Sequence, residues 1–270
     1  MKFLLILINI YLLVKCDNNV DIPSQSVNRT VVPYNTIVGY ASTNVEAYSN
    51  GNDSQTTTEY NSLYGIFMGI KWQCVEYARR WLFIRKGCVF DSIDGAADIW
   101  TQIDYVQRVD DKKCFSVKKY SNGSPNRPQN ESLLIYNRSG IALPFGHVAI
   151  IVDVLSNSIR VAEENYDSYL WIGNYSREIP YKYLNGNYYI EDKYPIAGWI
   201  SIIDYNQTKP LDKYTINNII KLNGTSPDFI CSNNSIYSNN SIYSNNSTYH
   251  FISFYSYLIF IFVLLKNYCM

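Results

Sequence analysis

Apolar positions along this chain change their period once. From residue 74 they recur at helical spacing: Val75, Ala78 and Leu82 share a stripe that Trp81 and Ile84 widen. Glu76 and Arg80 lie four apart with the acid first, the favoured order for a helical pair, and Gly87 supplies a stop. Ile93, Ala96, Ala97, Trp100 and Ile103 predict a second helix over 93–107. Residues 48–64 read as a polar loop leading into the first helix, and 108–130 as charged and then loop-like. Beyond residue 130 the pattern becomes strand-like. Leu133–Tyr136, His147–Val154, Ile159–Glu163, Tyr175–Ile179 and Gly198–Ile203 predict an antiparallel sheet of about five strands. Helices first and strands after is an α+β arrangement.

The two ends have a different character. Residues 1–16 hold Lys2 and an apolar run from Phe3 to Val14, the form of a secretory signal peptide. Residues 17–33 are a polar, extended lead-in, and 34–205 form the expected domain. Residues 206–250 read as a glycosylated or disordered stalk, since the hexapeptide Ser-Asn-Asn-Ser-Ile-Tyr repeats from Ser232 and Ser238. Phe251 to Leu265 is an apolar run within a hydrophobic tail, 251–270, that reads as a lipid-anchor signal or a membrane span. N-x-S/T sequons recur from Asn28 to Asn245. Together these features predict passage through the secretory pathway to the cell exterior or surface, with the tail on a membrane.

Charge narrows the function. Lys and Arg number 23 against 23 Asp and Glu, and no basic run interleaves with aromatics, so no nucleic-acid partner is expected. Histidine is scarce: His147 lies in the predicted sheet and His250 in the predicted stalk. One histidine among scattered cysteines gives no zinc spacing, and no glycine loop cradles a phosphate, so neither metal nor cofactor is expected.

Removing the leader and tail leaves Cys74, Cys88, Cys114 and Cys231. In an oxidising compartment all four could pair; the alternative joins Cys88 to Cys114 and leaves Cys74 free. Cys74 and Cys88 stand at opposite ends of the first helix, roughly 20 Å apart, which excludes their pairing. Cys74 itself occupies the first turn, where unpaired N–H groups and the helix dipole favour thiolate. His147 opens a strand after Gly146. If it faces Glu163 across a hairpin, Ala149 opposes Val161 and Ile151 opposes Ile159, which gives an apolar face ending in a His–Glu pair. A cysteine on a helix N-terminus with a His–carboxylate pair on a sheet is the layout of a papain-like thiol hydrolase.

These residues also carry a resemblance. Gly39-Tyr40-Ala41, Lys71-Trp72-Gln73-Cys74-Val75-Glu76-Tyr77-Ala78-Arg79-Arg80, Asn122-Gly123-Ser124-Pro125, Gly146-His147-Val148-Ala149-Ile150-Ile151 and Arg160-Val161-Ala162-Glu163-Glu164-Asn165 are together similar to the CHAP family of cysteine, histidine-dependent amidohydrolases/peptidases. Within it they resemble the amidase domain of glutathionylspermidine and trypanothione synthetase–amidases. The resemblance implies a CHAP fold, with Cys74, His147 and Glu163 catalytic and Arg79 and Asn165 contacting substrate. Those amidases cleave the amide between a glutathione glycine and spermidine, and much of the family cleaves peptidoglycan. The expected domain layout leaves no room for an ATP-dependent synthetase domain, and the leader predicts export. The expected partner is therefore a small peptide-amide or a peptidoglycan peptide. A catalytically silent surface binding module is the reading from another class, and an intact Cys74, His147 and Glu163 argues against it.

Overall fold

Gln73 is extended, and the chain turns helical at the next residue, giving α1 (Cys74–Lys86). Gly87, at φ 62°, adopts the left-handed conformation a side chain would disfavour, and its N–H closes on the carbonyls of Leu82 and Phe83. The computed structural model describes residues 30–51, 58–222 and 229–231. The leader, the hexapeptide repeats and the apolar tail lie outside the described residues. Among the described residues no helix is long and apolar enough to cross a membrane.

Two short hairpins precede the helix: β1 (Ile37–Tyr40) with β2 (Glu46–Tyr48), and β3 (Tyr60–Leu63) with β4 (Ile66–Ile70). After it come β5 (Cys88–Val89), α2 (Asp98–Gln102), β6 (Tyr105–Arg108), β7 (Cys114–Ser121) and β8 (Ser132–Tyr136). They are followed by β9 (His147–Val154), β10 (Ser158–Ala162), β11 (Arg177–Leu184), β12 (Asn187–Ile190), β13 (Ile196–Ile202) and α3 (Lys213–Lys221). Nine strands form one sheet in the order β12-β11-β10-β9-β8-β13-β7-β6-β5. Every pairing in it is antiparallel. The architecture is α+β with few helices, and the sheet is almost twice the expected width.

The missing strands are those with the weakest alternation. In β7 buried Phe115 and half-buried Val117 face the main core and Tyr120 the second core, while Ser116 and Lys118 are exposed, so the strand reads as charged loop. The helix expected over 93–107 shrinks to α2, because Ile103 is already extended and the chain passes into β6. Residues 206–222, expected in the stalk, include α3, and Leu211 and Ile219 pack on the small cluster of Ile66, Met68, Phe83 and Val89.

Strands β8 and β9 lie at the centre and are buried on both faces. Leu133, Ile135, Val148 and Ile150 share a cluster with Tyr77, Ala78, Trp81 and Leu82 of α1. The alternate residues Leu134, Tyr136, Ala149 and Ile151 pack with Trp199, Ile159 and Val161. Period-two alternation thus sends one set toward the helix and the other into a second core.

The expected Cys88–Cys114 pairing does not form. Cys88 pairs with Arg108 and turns into the main core, whereas Cys114 pairs with Gln107 and lies on the surface. Cys114 instead bonds Cys231, 117 residues away, at a Cα separation of 5.7 Å. Cys74 and Cys88 are free. Non-reducing peptide mapping should recover Cys114 joined to Cys231 with Cys88 as a free thiol. A peptide joining Cys88 to Cys114 would overturn this pairing. Closure of so long a loop is worth about 4–5 kcal/mol on the chain-entropy account, so reductant should lower the melting temperature by several degrees in a thermal scan.

Candidate active site

Three side chains from three elements meet at one end of the central strands. Cys74 is the first residue of α1, where backbone N–H groups have no intrahelical partner. Its sulfur accepts hydrogen bonds from the Val75 and Val148 backbones and from His147. His147 is the first residue of β9 and pairs with Tyr136 of β8. Gly146 before it has φ 71°, and a Cβ there would stand 2.6 Å from both the Ala97 Cβ and the Tyr136 carbonyl oxygen. Only glycine lets the chain pass this closely between α2 and β8 and still present the imidazole. Glu163 follows the last residue of β10, and its Oε2 accepts from His147 Nε2 at 2.8 Å. With Nε2 committed to Glu163, Nδ1 is left for the sulfur.

The hairpin register differs from the expected one. Val161 opposes Ile151 rather than Ala149, the loop is Leu155–Asn157 rather than five residues, and a bulge interrupts the pairing at Arg160 and Val161. Before the bulge Ile159 opposes Val154, a slip of three; beyond it the slip at Val161 is two residues, an even number, so the residues between the bulge and the site keep their faces and the His147–Glu163 contact survives.

All three groups are buried, with Cys74 at 8%, His147 at 2% and Glu163 at 2% relative exposure. Burial opposes the charge on each of them. Around Cys74 it is outweighed by the His147 imidazolium and the hydrogen bonds to sulfur, which hold the thiol below its ordinary value. Burial likewise opposes protonation of His147, but the Cys74 thiolate and Glu163 raise it to about 9. At Glu163 burial is overcome by Arg177 and His147, which hold the carboxyl down to about 2. Thiolate and imidazolium are the paired state that these neighbours favour.

Asn165 and Arg79 fare differently. Asn165, left-handed at φ 58°, donates to Gln73 Oε1 at 2.5 Å and accepts from Asn50 at 2.8 Å, so it lies beside the residue that precedes Cys74. Arg79 is buried, and its guanidinium donates to the carbonyls of Phe67 and Phe90 and stacks on both rings. It ties α1 to β4 and to the segment after β5. Both Nη groups are spent on backbone carbonyls and Nε is buried without a hydrogen-bond partner, so the guanidinium is held inside the fold and not presented as the expected substrate contact.

Arg177 and Tyr166 are the neighbours that sequence reasoning missed. Arg177 grips Glu163, and the Tyr166 ring lies 5.5 Å from the His147 ring. Neither has a signature of its own, since an arginine in an exposed-looking strand and one tyrosine among 26 give no periodic signal.

Residues 65–165, which hold Cys74, His147 and Glu163, match the family model described as CHAP domain. Over these residues the chain is similar to CHAP domains. It is also 34% identical over 180 residues to the bifunctional glutathionylspermidine synthetase/amidase of Escherichia coli, covering 62% of this chain and 29% of that protein. Trypanothione synthetase of Crithidia fasciculata is 31% identical over 181 residues, covering 64% of this chain and 27% of that one. The chain therefore spans less than a third of the length of these curated relatives.

The thiol environment of the site can be measured directly. Alkylation of Cys74 by iodoacetamide, followed by mass spectrometry, should show a rate limb below the ordinary thiol value of about 8.5. Cys88 should stay unlabelled in the same sample, because burial pushes its thiol up to about 12. A Cys74 limb at or above the ordinary value would exclude the ion pair.

Proposed function

We propose that the CHAP domain is a thiol-dependent amidohydrolase in which Cys74 is the nucleophile, His147 the acid and base, and Glu163 the group that holds the imidazole. The observation that carries this reading is the hydrogen-bonded line from Cys74 through His147 to Glu163 at a helix N-terminus. In the reaction the Cys74 thiolate attacks an amide carbonyl and the carbon–nitrogen bond breaks. His147 gives its proton to the departing amine, leaving a thioester on Cys74. Water, deprotonated by the now neutral His147, hydrolyses the thioester and restores thiolate and imidazolium. The Cys74 backbone N–H is placed as a first donor to the developing oxyanion.

The relatives point to the substrate class. One is named as an amidase as well as a glutathionylspermidine synthetase, which favours an amide of a glutathione-like peptide. The leader, stalk and tail expected from the sequence support a setting outside the cell and at a membrane surface. In that setting a peptidoglycan peptide is the competing amide.

The full chain and its Cys74→Ala variant should be assayed for amine release from glutathionylspermidine and, separately, from peptidoglycan. Cys74→Ala should lose amide cleavage by at least about 10³-fold while keeping its melting temperature within a few degrees. Retained cleavage would sink the mechanism, and a wild-type chain that cuts neither amide would favour the silent binding module. Cleavage should also fall as pH rises through about 9, where His147 loses the proton the leaving amine needs. A rate still climbing well above that pH would remove His147 as the acid.

A further inference from the structure

We propose that Arg177 is a positioning residue of the site, aiming the Glu163 carboxylate at His147 Nε2. The inference rests on the thiol-hydrolase reading above and adds a residue to it. Arg177 is the first residue of β11, paired with Val161 of β10, and its side chain reaches along the sheet to Glu163. Nε donates to Glu163 Oε1 at 2.6 Å and Nη2 approaches Oε2 at 3.3 Å, so one planar fork spans both carboxylate oxygens. Ser176 adds a donor to Oε1 at 3.1 Å. With Oε1 held from behind, Oε2 is the oxygen left to face the imidazole.

The guanidinium is itself fixed. Nη1 donates to Asp192 Oδ2 at 2.9 Å and Nη2 to the Tyr136 hydroxyl at 3.2 Å. The Tyr136 hydroxyl donates to the same Asp192 oxygen at 2.6 Å. The Tyr166 ring covers the guanidinium at 3.4 Å and also lies against His147. Of these groups, Tyr136 and Tyr166 both touch the imidazole directly. Arg177 therefore links the carboxylate of the site to both of the rings that flank the imidazole.

The titratable groups facing Glu163 are His147 from β9, Arg177 from β11, Asp192 beyond β12, Tyr136 from β8 and Tyr166 from the loop after β10, with Cys74 beyond His147. Among the described residues only Arg177 and His147 supply positive charge to a carboxylate that is almost wholly buried. Without the guanidinium, desolvation of Glu163 loses its main opponent, and the carboxyl shifts toward its neutral form. A neutral Glu163 gives the imidazolium no stabilisation, so His147 loses its proton at lower pH and Cys74 keeps its own to higher pH. A merely structural arginine would lower the melting temperature and leave this titration alone.

The test uses the full chain and the variants Arg177→Gln and Arg177→Lys. Two quantities are read: the pH profile of Cys74 alkylation by iodoacetamide, and kcat and KM for glutathionylspermidine. Arg177→Gln should move the thiolate limb up by about one pH unit and lower kcat about tenfold or more, with KM within about twofold. Arg177→Lys, which restores a charge without the fork, should fall between it and wild type. A folded Arg177→Gln protein with an unshifted limb overturns the proposal. So does a limb moved downward, since that would make Arg177 only a cation opposing the imidazolium. If Arg177→Gln does not fold, Arg177→Lys decides, and a limb identical to wild type overturns the fork. A wild-type limb at the ordinary thiol value would instead defeat the thiol mechanism, so the two failures are distinguishable.

Discussion

Arg80 leaves the helix that carries Cys74 and ends among three aromatic rings and two carboxylates. Its guanidinium lies 5.2–5.6 Å from the rings of Tyr48, Trp72 and Tyr77. It bonds Glu76 on its own helix at 2.8 Å, Glu164 at 2.6 Å and the Glu46 carbonyl at 2.7 Å. The Arg80 and Glu164 side chains are 4% and 0% exposed. Removing ions from water is expensive, and breaking such a pair by deleting one partner typically costs about 3–5 kcal/mol. Burial raises the Glu164 carboxyl well above the usual carboxylate range, with Arg80 pulling it down and Glu76 adding to the rise. The cluster permits one relative placement of α1 and the end of β10.

The site follows from that placement. Glu163 and Glu164 are consecutive, and the chain leaving β10 sends them to different partners. Glu164 anchors the helix through Arg80, and Glu163 meets the base at 2.8 Å. The cysteine is carried on the anchored helix and the histidine on the strand beside β10. The meeting of all three is thus fixed by backbone elements rather than by mobile side chains, the condition under which a catalytic geometry is preorganised.

Much of this was legible in the sequence, for reasons that differ by residue. The α1 boundaries could be read because Gly87 stops the helix and the stripe begins at Val75. The His147–Glu163 contact could be read because period-two alternation fixes the face even where register slips by two. The Glu76–Arg80 pair was visible from its spacing, but its burial was not. Aromatic rings from β2, Trp72 and α1 surround it, and no local pattern announces a long-range enclosure. For the same reason the enclosure of Arg79, expected as a substrate contact, was not visible. Strand β7 was hidden by its outward lysines, and the Cys114–Cys231 bond by the helix α3 that lies between the sheet and Cys231. Local periodicity reports which way a side chain points; it carries no information about what comes to meet it.

Arg177 shows how far that distinction reaches into the chemistry. Along one line the site alternates in charge: Cys74 thiolate, His147 imidazolium, Glu163 carboxylate, Arg177 guanidinium, Asp192 carboxylate. Each interior member has an opposite charge on both sides, so the desolvation that burial imposes is opposed at every step. Truncating the line at Glu163 would leave a buried carboxylate with one cation to share, and on the proposed mechanism that cation carries the proton destined for the leaving amine. Arg177 frees Glu163 from relying on that proton for its own charge. The histidine can then pass the proton on while the carboxylate stays ionised behind it.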